Sequence, residues 1–201
     1  MALRYSLGTS QRYLLPLAVA GGIGLLHGCG QQTTDEMIAE IVADTTISDE
    51  QAIQRIAENA FYHVEQSSTS VDDGGQITLE LVVRGRQDSN VTTFQEGDAS
   101  RVDTNVELGM LCFQCRRLIE HGTARNLGDL DILLRQSALD AAGQQIWVDI
   151  FKFRLRRDKF SEFMQKASGM AAVRAPKEIL HEVCDVEYDR FDQIRYEETR
   201  D

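Results

Sequence analysis

The sequence predicts an α+β fold, on three observations. From residue 48 onward the apolar residues recur with a helical period in some stretches and alternate strictly in others. The two kinds of stretch succeed one another along the chain and are not segregated into halves. Only two prolines occur, and neither interrupts a periodic segment, so the 201 residues offer enough chain for a single core.

Taken in order, Thr33 or Thr34 caps a short helix through Asp35, Glu36, Met37, Ile38 and Ile41. Ser48, with Gln51 three places on, makes a capping box for a second helix over 49–66. Its buried face is Ile53, Ile56, Ala57, Ala60, Phe61 and Val64. Residues 67–75, ending in Asp72-Asp73-Gly74-Gly75, read as a loop. Ile77, Leu79, Leu81 and Val83 then alternate with Thr78, Glu80 and Arg84 in a half-buried strand. After a polar stretch over 86–98, the period is helical again to His121. Val102, Val106, Leu108, Leu111, Cys112, Cys115, Leu118 and Ile119 share one stripe, stopped by Gly122. Leu130, Ile132 and Leu134 alternate in a strand to about 139; a turn at 140–143 returns the chain through Ile146–Leu155 as a hairpin. Phe160, Phe163, Met164 and Ala167 mark another helix, ending near Gly169. Cys184, Val186 and Tyr188 alternate with Asp185, Glu187 and Asp189 in a last strand.

From residue 76 the element order is therefore βαββαβ, which resembles the ferredoxin-like sandwich, an antiparallel sheet with helices on one face. That resemblance implies no activity, because the fold hosts many. The helix at 49–66 is then an N-terminal addition. A cystatin- or NTF2-like helix wrapped by a curled antiparallel sheet is the alternative. In the strand 146–155, Trp147, Phe151, Phe153 and Leu155 fall on one face and Ile146, Val148 and Ile150 on the other. This two-sided apolar strand predicts cover on both faces of the sheet, from the N-terminal helix or from a protein partner.

The first thirty residues are of another kind. Arg4 and Arg12 stand in a leader without acids, and an almost uninterrupted apolar run over 14–26 ends in Leu26-His27-Gly28-Cys29-Gly30. This is the order of parts in an export signal, and the run is shorter than the roughly 20 residues a spanning helix needs. Leu26-His27-Gly28-Cys29 resembles the lipobox of bacterial lipoprotein signal peptides. Leu26 stands at the branched position and Gly28 at the small one, while His27 replaces the usual small or β-branched residue. The resemblance implies a signal peptide over 1–28, cleavage before Cys29, and acylation of its sulfur and new amino terminus with palmitate-type chains. Residues 29–47 become a lipid-anchored tether with a short helix, and 48–201 a single α+β domain. Two or more acyl chains hold a protein stably to a bilayer. The implied partner is therefore the lipid bilayer, and the place is the bacterial cell envelope at its periplasmic face. Gly30 is not the Asp that retains some lipoproteins at the inner membrane, which favours the outer membrane in a Gram-negative source. An ordinary secretory signal that happens to end in a cysteine is the plainer alternative.

Removing residues 1–28 leaves 19 Lys and Arg against 32 Asp and Glu, a net of −13 in place of −11. Such a surface excludes nucleic acid as a partner and is repelled by anionic headgroups. The acids are dispersed, as on any soluble surface.

Beyond Cys29 the folded part holds Cys112, Cys115 and Cys184, an odd number. Four readings stay open for them. As small hydrophobes they pack a core. As a Cys-x-x-Cys pair, Cys112 and Cys115 exchange disulfides, although in mid-helix they lack the N-terminal dipole that lowers a thiol pKa. With His181, which precedes Cys184 by three, they form a zinc ligand set, although three places along a strand point to opposite faces. Lastly, Cys184 pairs with Cys112 or Cys115 in a disulfide whose loop of roughly 70 residues is worth about 4 kcal/mol. His63, His121 and His181 read as surface or cap residues, and His121 suits a helix C-terminus. Asp129 and Asp131 share a strand face with no evident partner. No nucleophile elbow, zinc-protease helix or phosphate loop occurs, and no cofactor is expected. The reading is a membrane-anchored cell-envelope lipoprotein whose domain binds or scaffolds and is not an enzyme. The alternative is a periplasmic thiol/disulfide or zinc-binding protein using Cys112, Cys115 and Cys184.

Overall fold

The computed structural model describes residues 33–85, 99–139 and 145–191, with backbone alone for 99–104, 138, 139 and 145. The leader and Cys29 lie outside the described residues.

Two helices open this part, α1 (Thr34–Ala43) and α2 (Asp49–Ala60). Each starts at a capping box: Thr33 with Glu36, and Ser48 with Gln51. In each, the cap hydroxyl accepts from the third backbone N–H and the third side chain accepts from the cap N–H, satisfying two of the donors a helix start leaves open. Strands β1 (Val64–Val71) and β2 (Ile77–Arg84) form a hairpin. Helix α3 (Ala99–Gly122) then carries the chain over to β3 (Leu127–Leu139), which returns as β4 (Gln145–Leu155). Three short helices, α4 (Phe160–Lys166), α5 (Ala171–Arg174) and α6 (Pro176–Val183), lead to β5 (Asp185–Asp189). The α+β class is as expected.

The sheet has five strands in the order β1-β2-β3-β4-β5. All neighbours are antiparallel except β2 and β3, which run parallel across the α3 crossover. In a ferredoxin-like split βαβ a further strand separates the parallel pair; here β2 and β3 are direct neighbours, so the sheet departs from that order. The parallel pair equally sets it apart from a wholly antiparallel curled sheet.

Three local corrections explain the rest of the difference. Helix α2 ends at Ala60, and 64–71, expected as helix end and loop, is the edge strand β1. Its sequence, Val-Glu-Gln-Ser-Ser-Thr-Ser-Val, lacks apolar alternation because its residues are exposed or only half-buried at the margin of the sheet. The segment before β5 is helical through Val183, started by Pro176 in the first turn, where a missing N–H costs nothing. In β4 a bulge changes the reading of the two-sided apolar strand. Leu134 pairs with Phe151 but Arg135 pairs with Asp149, leaving Ile150 as an extra residue. Phe151, Phe153 and Leu155 lie opposite Leu134, Ile132 and Leu130 on the buried side. Past the bulge Val148 takes that side, opposite buried Gln136, and Trp147 and Asp149 turn outward. A one-residue slip exchanges faces, so the apolar run does not require cover on both sides.

One hydrophobic core fills the space between the sheet and the helices. Ile38, Ile53, Ile56, Leu108, Leu111 and Leu118 come from the helices, and Leu79, Leu81, Ile132 and Phe153 from the strands; each is at most 2% exposed. Ile38 of α1 belongs to this same core. Arg125, in a 3-10 turn after α3, fastens α1 and α2 to it. Its guanidinium donates to the carbonyls of Val42 (3.0 Å), Ile41 (3.2 Å) and Asp44, and to Asp49 Oδ1 (3.2 Å). It thus caps the open carbonyls of α1 with positive charge. The next residue, Asn126, adopts a left-handed φ of 61° and donates to Asp49 Oδ2 at 2.6 Å.

Candidate functional site

Cys112 and Cys115 sit on the inner stripe of α3, and Cys184 ends α6 at its C-cap. All three are free thiols, 0%, 0% and 7% exposed, in the same core cluster. Burial pushes the Cys112 thiol up to about 12, and raises Cys115 and Cys184 as well. Each further thiolate nearby would repel the next, which adds to the rise for Cys115 and Cys184. Disulfide exchange needs the opposite, a thiol with a lowered pKa that solvent can reach. All three sulfurs lie instead among the apolar side chains of the core.

His181 stands apart from them. It lies on α6, where a spacing of three from Cys184 is helical and not that of a strand. Yet its ring is exposed and Cys184 is buried. Nε2 lies 2.9 Å from Asp189 Oδ2, and the ring meets Phe151 edge-on at 5.9 Å. Asp189 also pairs with Lys177 at 2.8 Å. Burial alone would raise its carboxyl, but Lys177, His181 and the Phe191 N–H outweigh burial and hold it below the usual carboxylate range. Among the described residues, no three His, Cys, Asp or Glu side chains are grouped to hold a metal ion.

The larger arrangement of polar groups is on the outer face of the sheet, away from the helices. The strand register brings opposite charges into lateral contact there. Arg154 on β4 reaches Asp129 (2.7 Å) and Asp131 (3.6 Å) on β3. Lys152 pairs with Glu187 on β5 (2.5 Å). Glu65 of β1 takes both Arg84 (3.1 Å) and Arg135 (3.2 Å); Arg135 also holds Asp149 (2.7 Å), and Arg84 lies over the Trp147 ring at 4.5 Å. Around Glu80, Val82, Asp131, Leu133 and Lys152 the face forms an open trough of about 930 Å³.

Asp129 and Asp131, expected to lack partners, are thus both engaged by Arg154, and their environments push them apart. Burial would raise Asp129, but the Arg157 N–H and the Arg154 guanidinium outweigh it and lower its carboxyl. For Asp131 burial prevails over Arg154, and Glu80 and Asp129 add repulsion, so its carboxyl is raised. Sequence reasoning did not find Glu65, Arg84, Arg135 or Arg154, because their roles depend on register across four strands. The one visible signal was charge at alternate strand positions. On the same face the Ser68 hydroxyl of β1 donates to Glu80 Oε2 of β2 at 3.0 Å.

Among the described residues no helix is long and apolar enough to cross a membrane. Comparison with protein-family models, with curated proteins and with solved structures finds no match to this chain.

Proposed function

We propose that this chain is a membrane-anchored cell-envelope lipoprotein, held by acyl chains on Cys29, whose α+β unit binds or scaffolds at the membrane surface and does not catalyse a reaction. The observation that carries the reading is Leu26-His27-Gly28-Cys29 at the end of a basic and then apolar leader. Two features of the folded unit support the binding half. The three thiols of the folded unit, Cys112, Cys115 and Cys184, are sealed in the core with raised pKa values. The outer face of the sheet offers a broad trough lined by charges of both signs. The thiol/disulfide reading would require Cys112, Cys115 and Cys184 as accessible thiolates, and their burial weighs against it; against the zinc reading stands the exposed His181 ring, paired with Asp189 and apart from the buried Cys184.

Intact mass tests the reading directly, on protein extracted from a bacterial envelope with and without Cys29→Ala. The expected outcome is a chain beginning at Cys29 with added acyl mass, and loss of that species in the variant. A full-length or merely clipped chain without added mass sinks it.

A further inference from the structure

The surface beside the start of α1 combines exposed aromatic side chains with balanced charge. Tyr62, which follows α2, is 66% exposed, and Phe113, on the outward side of α3, is 39% exposed. Together with Met110 they line a hollow of about 600 Å³ that also includes Asp35, in the first turn of α1. Arg117 closes onto Asp35 at 3.0 Å. The charges around the hollow, Arg116 and Arg117 against Asp35 and Glu120, cancel, and His121 adds a positive charge when protonated. A chain with 19 cations and 32 anions after residue 28 thus has a locally neutral, aromatic spot at this place.

Chain length decides what that spot faces. From Cys29 to the cap residue Thr33 there are four steps, spanning at most ~14 Å when fully extended. The headgroup layer on one side of a bilayer is itself about 5–8 Å deep. A cysteine whose acyl chains enter the hydrocarbon therefore keeps Thr33 no more than ~6–9 Å beyond the headgroups, and the hollow lies beside the turn that follows it. Aromatic side chains with a polar tip or a neighbouring cation favour that boundary. The rest of the surface, carrying the excess negative charge, is repelled by anionic lipid.

We propose that the hollow around Tyr62 and Phe113 is a bilayer-contact surface, which seats on zwitterionic headgroups and fixes the orientation of the domain on the membrane. This inference rests on acylation at Cys29.

The test uses the full mature lipoprotein in vesicles of bromine-labelled phosphatidylcholine. Trp147, the single native tryptophan, is replaced in a Trp147→Phe background. One reporter is Phe113→Trp, at the hollow; the other is Tyr188→Trp, on β5 at the sheet edge opposite β1. Tyr62→Trp serves in place of Phe113→Trp if circular dichroism shows that variant misfolded. The expected result is that the reporter at the hollow loses more than half of its emission to bromine, while the one on β5 keeps nearly all of it. Equal quenching at both, or at neither, on protein that floats with the vesicles overturns the contact surface and leaves the lipoprotein reading standing. An unquenched hollow in a protein that sediments as a dimer assigns the spot to a second copy, and overturns it likewise. If flotation is the same for the wild type and Cys29→Ala, the anchor itself fails and the orientation falls with it.

Discussion

Along β3, Leu130, Ile132 and Leu134 turn toward the helices and are sealed from water, while Asp129, Asp131, Leu133 and Arg135 turn the other way and stay partly solvated. The same strand thus serves two kinds of physics. On the covered face stability comes from apolar area removed from water and close packing, which is insensitive to salt and pH. On the bare face it comes from lateral charge pairs in high dielectric, each worth ~0.2–1 kcal/mol and screened by salt. The covered face therefore sets whether the chain folds, and the bare face contributes little to that. The sharpest way to break this comparison is to truncate neighbours on β4. Phe153→Ala, in a site 1% exposed, is expected to cost about 3–5 kcal/mol in denaturant unfolding. Arg154→Ala, next to it but facing outward, should cost no more than ~1 kcal/mol, and less in high salt. Equal costs would mean that the outer face is structural too.

The thiols sharpen the same contrast, because they are ionisable groups placed on the covered side. An unfolded cysteine titrates near 8.5, and burial raises Cys112 to about 12 and moves Cys115 and Cys184 in the same direction. Above pH ~8.5 the unfolded chain therefore binds fewer protons than the folded one, and stability falls as pH rises toward the folded pKa values. Each thiol contributes up to ~1.4 kcal/mol per pH unit in that window. Urea unfolding between pH 8 and 10 should show this loss, and a triple Cys→Ala variant should flatten it. Alkylation of the wild type should likewise wait for unfolding. Rapid alkylation of the native protein would return Cys112 and Cys115 to candidacy as a redox pair.

How much of this was legible in the sequence differs between the same two faces. The covered face could be read: Ile77-Leu79-Leu81-Val83 and the stripe from Leu108 to Ile119 announce their buried sides by period alone. The capping box at Ser48 marked one helix start to the residue, and Thr33 or Thr34 placed the other to within one. What escaped depends on relations between distant segments. β1 is an edge strand whose Ser and Thr residues carry no apolar signal, so only its partner β2 makes it a strand. The bulge at Ile150 reverses the facing of Trp147, and no local feature of the sequence marks it. Arg125 reads as one more charged residue between the helix stopped at Gly122 and the next strand, until α1 folds back over it. The charge ladder of the outer face depends on register in the same way.

The smallest effect is the most discriminating, because it lies within the bare face. Asp129 and Asp131 are two places apart and share Arg154, yet one is lowered by its hydrogen bonds and the other raised by burial. Asp129 contributes stability above its unfolded pKa of about 3.9, lost as pH falls through its lower folded value. Asp131 works in the opposite sense: its contribution is fully present below about 3.9 and is lost as pH rises through its higher folded value. Asp129→Asn should therefore destabilise at neutral pH by about 1 kcal/mol or less, since the pair is partly exposed. Asp131→Asn should be neutral or slightly stabilising there, because it removes a charge that burial and two neighbouring carboxylates disfavour. Between pH 6 and 4 the wild type should gain a few tenths of a kcal/mol that Asp131→Asn does not. If both substitutions destabilise alike, Arg154 holds the two carboxylates as one unit, and the outer face is a cooperative network instead of a set of separate pairs.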